Sequence, residues 1–322
     1  MTHILEFRDM LKRFYAQYEM FVLALFKFVL VLICMLLVKK HIGYMDKLQT
    51  TSVILAVSFL SAFLPFGLVI LILSIIILAN IYALSMPLAG VVLGIMLVMF
   101  ILYYRFTPKE AITVVLVPMM FYLKIPYIIP IVVGLVATPV AIVAVAFGTI
   151  TYYMIYIIST NAAIINNMET DTPLKQINYY VSMLVENKEM YFIISIFTVI
   201  ILIVYLIKRM SVNNAWTTAI IVGGSFELVG FIVLGMMMNS KPSVVSVVIG
   251  TIVSIVLSII IQFFIFSLDY SRTEHTQFED DDYYYYVKAV PKINVTAPQI
   301  NVKRINAKRE KKVKEKTKEK KK

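Results

Sequence analysis

Glu227 is the residue of this sequence best placed to do chemistry. It closes Gly223-Gly224-Ser225-Phe226-Glu227, near the middle of an apolar run from Ala215 to Met238. A carboxylate at the bilayer centre costs about 2.5–3.5 kcal/mol on insertion scales, so it needs a partner or a water-filled path. Two functional roles fit: binding a proton or cation, or pairing with Lys27 in the first apolar run. The structural alternative is a protonated carboxyl held between helices that small neighbours bring close. Lys27 lies two turns inside its run, from where it either pairs or snorkels to the headgroups. Lys124 stands beside Pro126, where it either anchors the interface or faces a cavity. Pro65 and Pro126 each interrupt an apolar stretch. Backbone freed at such breaks must be satisfied by protein or water, which gives a candidate pathway through Glu227, Lys27, Lys124, Pro65 and Pro126.

Other chemistries find no support. Cys34 is the single cysteine, and His3, His41 and His275 are scattered, so no metal site and no disulfide is expected. There is no G-x-x-x-x-G-K-[ST] loop, G-x-S-x-G elbow, H-E-x-x-H pair or Cys-x-x-Cys. The chain does not read as an enzyme, and no cofactor is expected.

The elements that must carry these residues follow from composition. Of 322 residues 60% are hydrophobic and 15% charged, against about 45–50% and 25% in soluble domains. Lipid is therefore the solvent, and about 20 apolar residues make one helical crossing. Runs at residues 21–38, 51–64, 67–84, 87–104, 127–158, 190–207, 215–238 and 243–268 qualify as spans, with 111–123 short enough to be re-entrant. The fold class is an all-α polytopic integral membrane protein of about seven or eight transmembrane helices, one or two of them broken. Residues 1–19 mix charged and apolar positions and read as an interfacial amphipathic segment or a frayed leader. The membrane domain covers residues 20–268, and within it residues 161–189 are polar, acidic and amphipathic.

Leu64-Pro65-Phe66 and Ile125-Pro126-Tyr127 share a pattern, a short helix and a break before a long helix. It fits an internal repeat or a chance resemblance between proline breaks. The net charge of +11 is concentrated at the end, where residues 303–322 hold twelve Lys or Arg against three Glu. Basic residues beside membrane ends are retained in the cytoplasm, so the tail, Lys208-Arg209 and Arg105 are expected there. If residues 51–64 cross fully, the N-terminus joins them; if they dip and return, Lys39, Lys40 and Lys47 do instead.

Residues 269–322 form a soluble tail. Tyr283, Tyr284, Tyr285 and Tyr286 precede two short Ile-Asn-Val segments carrying Ile293, Val295, Ile300 and Val302. Alternation of aromatic or β-branched with polar residues favours short strands, which suit docking on the sheet edge of a partner. The Lys-rich end suits anionic lipid or serves orientation and solubility alone; specific nucleic-acid binding is not expected.

The run Phe278-Glu279-Asp280-Asp281-Asp282-Tyr283-Tyr284-Tyr285-Tyr286-Val287-Lys288-Ala289-Val290-Pro291-Lys292 resembles the tail of a family of clostridial (Firmicutes) multi-pass membrane proteins. Leu268-Asp269-Tyr270-Ser271-Arg272-Thr273-Glu274, Lys124-Ile125-Pro126-Tyr127, Arg209-Met210-Ser211 and Ala215-Trp216-Thr217 are similar to it as well. Members of that family have no assigned activity and sometimes carry the generic label ABC transporter permease. The resemblance implies a bacterial plasma membrane and no mechanism. Two readings stand. In one the chain is a permease-like transport component, which needs a separate ATPase if ATP drives it. In the other it is a membrane scaffold whose tail recruits a cytoplasmic protein.

Overall fold

A computed structural model describes residues 2–167, 173–210, 212, 214–237, 244–265, 274–279 and 283–290. The chain folds in two compact units, Arg13–Phe266 and a smaller one of Met1–Lys12 with Ser267–Lys322. Among the described residues the regular elements of the larger unit are helices: α1 (Thr2–Ile42, whose first residues belong to the smaller unit), α2 (Thr51–Phe63), α3 (Phe66–Leu84), α4 (Met86–Phe106), α5 (Ala111–Tyr122), α6 (Ile128–Val136), α7 (Ala141–Asn167), α8 (Pro173–Val185), α9 (Lys188–Lys208), α10 (Ala215–Met237) and α11 (Val244–Ile265). Among the described residues, seven helical stretches are long and apolar enough to cross a bilayer, falling in α1, α3, α4, α7, α9, α10 and α11. The protein is an all-α multi-pass membrane protein.

The N-terminal segment expected over residues 1–19 ends close to a kink in α1, where Tyr18 adopts φ −120° and ψ 26° and two helices join. Residues 127–158 are not one span. Ala137 is extended and its N–H caps α6 on Val133 O; Thr138 precedes Pro139, which disfavours helix before it and lacks an N–H to continue one. The helix that follows runs to Asn167, and residues 173–185 of the polar stretch form α8. That helix buries Gln176, Tyr180 and Leu184 at four-residue spacing, one amphipathic face. Ser85 Oγ donates to Gln176 Oε1 at 2.8 Å, which ties α8 to the turn between α3 and α4.

Contacts along the helices set their directions. Asn80 Oδ1 accepts from Met45 N at 3.2 Å and Gln49 Nε2 at 3.0 Å, so the end of α3 lies beside the turn after α1. Lys27 Nζ donates to Leu64 O at 2.8 Å, which places the end of α2 well up α1. The helices α1 to α4 thus run alternately down and up, and Arg13 and Arg105 share a face. Gly148 packs on Val117, and Phe121 stacks on Tyr152 at 4.5 Å, so α5 and α7 run parallel. The chain must therefore return between them. It does so through α6, whose end meets Lys208 at the end of α9. Helices α5 and α6 form a re-entrant hairpin of 12 and 9 residues, penetrating about 18 and 14 Å at 1.5 Å per residue. The short helices α2 and α5 enter from opposite faces, the sense of an inverted repeat. Their return helices, 19 and 9 residues long, are unequal.

Candidate functional site

Helix α10 carries Glu227 between two glycines and an aromatic. Gly224 lies against Ile255 and Thr251 of α11, where a Cβ would come within 2.6 Å of Ile255. Gly223 lies against Val204 of α9 and Ile131 of α6. One turn beyond Glu227, the Phe231 ring meets Tyr127 at 4.9 Å, edge on. Since Gly223 faces Ile131 and Phe231 faces Tyr127, Glu227 lies opposite the first turn of α6. Tyr127 is close enough to interact electrostatically with it.

The side chain is fully buried, and neither carboxyl oxygen has a hydrogen-bond partner. No cation lies along these helices: α6, α10 and α11 carry no Lys, Arg or His, and those of α9 are at its ends. A buried carboxyl left without hydrogen bonds costs about 1–3 kcal/mol even when neutral, and far more when charged. What the site offers a carboxylate is the N-terminal end of α6, equivalent to roughly half a positive charge. Tyr127 is fixed there from both sides. Its carbonyl accepts from Ser254 Oγ at 2.8 Å, and its ring fills the space that a side chain at Gly250 would need. The hydroxyl of Thr251 is committed to Val247 O at 3.0 Å.

The other residues expected to join Glu227 lie elsewhere. Lys27 does not pair with it. Its ammonium donates to Leu64 O, the carbonyl just past the end of α2 and before Pro65, and sits 5.0 Å from the Phe66 ring centre. Lys124 has an exposed side chain and acts through its backbone. At φ 62° it takes the left-handed position that ends α5. Ile125 N donates to Met120 O and Lys124 N to Phe121 O, both at 3.0 Å, a Schellman closure followed by Pro126. Asn80 is buried, and its amide nitrogen donates to Ile76 O at 2.8 Å.

Lys208 was legible in the sequence only as a topological signal, yet it secures the hairpin. Its ammonium donates to Leu135 O at 2.8 Å and Ala137 O at 3.2 Å, the carbonyls exposed where Pro139 stops α6. Gly250 was also missed, since it carries neither charge nor motif, and Tyr127 was legible only as part of the Ile125-Pro126-Tyr127 break. A separate cavity of about 110 Å3, lined by residues such as Cys34, Met99, Tyr103, Pro118, Tyr122 and Thr151, has no charged group in its wall. No group of three or more His, Cys, Asp or Glu stands close enough to hold a metal among the described residues.

In the smaller unit, Glu274–Glu279 and Tyr284–Ala289 form an antiparallel hairpin, β1 and β2, with Phe278 opposite Tyr285. The expected strand at the tyrosines is present. Tyr283, Tyr284 and Tyr286 are 66–76% exposed and Tyr285 37%, the alternation of a strand in its last three positions. Ile293, Val295, Ile300, Val302 and the Lys-rich end lie outside the described residues.

No family model, curated protein or solved structure matches this chain. Fold and site together define a polytopic helical membrane protein with an uncompensated acid facing a re-entrant half-helix.

Proposed function

We propose that this chain is a transport component of a bacterial plasma membrane, and that a cation passes Glu227 at the tip of the α5–α6 hairpin. The single observation that carries the reading is the Glu227 carboxyl, fully buried and without a hydrogen-bond partner, opposite the start of a half-helix. Intramembrane acids are expensive, and half-helix ends are where transporters place their ions. The basic tail and Lys208 lie on the cytoplasmic face in this reading, and an ATPase is needed only if the flux is ATP-driven. The resemblance to the clostridial family fits the location.

The test uses full-length protein in sealed vesicles, with dyes for protons, sodium and potassium. Flux of one of these ions above protein-free vesicles, reduced at least tenfold by Glu227→Gln, is the expected result. Flux equal to that of empty vesicles, or unchanged by the substitution, overturns it.

A second reading rests on a different observation, the exposed tyrosines of β2. A two-stranded hairpin has two open edges and suits strand addition by a cytoplasmic partner. Deleting residues 278–302 then releases a protein that co-purifies with the full chain; co-purification unchanged by the deletion removes this reading.

A further inference from the structure

Helix α11 places Thr251, Ser254, Ser258 and Gln262 at spacings of three, four and four residues, which is one helix face. The first three are buried to 2% exposure or less. The file borders α10 and α6 along its length. Thr251 lies at Gly224 of α10, and Ser254 donates to Tyr127 O at the start of α6. At its other end Gln262 Nε2 donates to Thr217 Oγ1 of α10 at 3.1 Å. Between these two fixed points stands Ser258, fully buried, its hydroxyl without a partner. Glu227 and Ser258 are thus two unsatisfied buried polar groups on one seam, amid helices otherwise packed by Val, Ile and Phe.

Two apolar-lined polar groups with no partner are costly unless they exchange protons or water. The seam is poorly suited to a metal cation, which needs several oxygen ligands at once, because Glu227 is the one carboxylate that α6, α10 and α11 carry. Resting on the proposed transport reading, we infer that the ion at Glu227 is a proton, and that it travels between Glu227 and the Lys208 face along Ser254, Ser258 and Gln262. Successive groups four residues apart are separated by about 6 Å along the axis, a gap that one bridging water spans. The O–H bond of the Glu227 acid breaks and leaves a carboxylate facing the α6 terminus. Each hydroxyl or water accepts one proton and gives up another, so the file ends unchanged and one proton reaches the solvent. Tyr127 is the titratable side chain facing Glu227. Helices α6 and α11 present none, α10 presents Glu227 alone, and Lys188, Glu189, Tyr191, Tyr205 and Lys208 lie towards the ends of α9.

Full-length protein in vesicles transferred to deuterated water tests this by infrared spectroscopy. Glu227→Gln identifies the acid C=O band of Glu227. Its deuterium shift is expected to slow at least tenfold in Ser258→Ala and to recover in Ser258→Thr, while amide exchange stays the same. An unchanged rate in Ser258→Ala, a Thr variant as slow as Ala, or no acid band assignable to Glu227 overturns the proton file. Sodium or potassium flux that depends on Glu227 without such a band would leave the transport reading standing and remove this inference alone.

Discussion

Replacing Glu227 by leucine is expected to stabilise the protein while abolishing the proposed ion flux. The structure supplies the terms. The carboxyl has no exposure, and neither oxygen has a partner, so an unsatisfied polar group costing about 1–3 kcal/mol is removed. Leucine returns about 0.5 kcal/mol of membrane insertion energy, and its similar length keeps repacking costs under about 1.5 kcal/mol. The terms sum to a gain of between about 0 and 3.5 kcal/mol, centred near 2 kcal/mol, or roughly 4–8 °C in the midpoint of a membrane body of this size. Trp216, the single tryptophan, opens α10 and reports unfolding by fluorescence in detergent. A substitution that stabilises and inactivates marks a residue kept for function at the expense of stability. A midpoint lowered by a similar amount would refute the reasoning, because it requires a partner that holds Glu227 in place.

Three further outcomes follow from the helix ends. Lys208→Met leaves Leu135 O and Ala137 O without their donor, and is expected to cost about 1.5–3 kcal/mol, measured as a lower thermal midpoint than that of Lys40→Met, whose side chain is exposed. Lys124→Gly relieves a left-handed residue at the α5–α6 turn and is expected to stabilise by up to about 1 kcal/mol; a loss of stability would contradict the Schellman closure. Gly250→Ala pushes a methyl group into the Tyr127 ring, at a cost of about 1–3 kcal/mol, and is expected to reduce flux as α6 shifts. Full activity in that variant would separate Tyr127 from the pathway.

Much of this architecture is written in local chemistry. Apolar runs set the long helices because backbone groups in lipid must bond internally, and only a helix does so within one segment. Pro65 and Pro126 mark real breaks, each just beyond a helix end where a ring without an N–H cannot carry the helix on. Glu227 stands out for the same local reason, a charge amid hydrocarbon. The sequence also supports a re-entrant α5, because 12 residues are too few to cross.

What the tertiary structure decided is which groups meet. Nothing local distinguishes Pro130, accommodated in the first turn of α6, from Pro139, which ends that helix with Ala137 extended. Lys27 and Glu227 are opposite charges in apolar helices, and pairing was the economical guess. The fold instead gives Lys27 to the free carbonyl of Leu64 at the end of α2 and leaves Glu227 facing α6. Lys208 looked like a topological signal until a second freed carbonyl arrived beside it from 71 residues away. These outcomes depend on the order and packing of α6, α9, α10 and α11. Helix packing joins residues far apart in the chain through shape, and shape is a property of many side chains at once rather than of any motif.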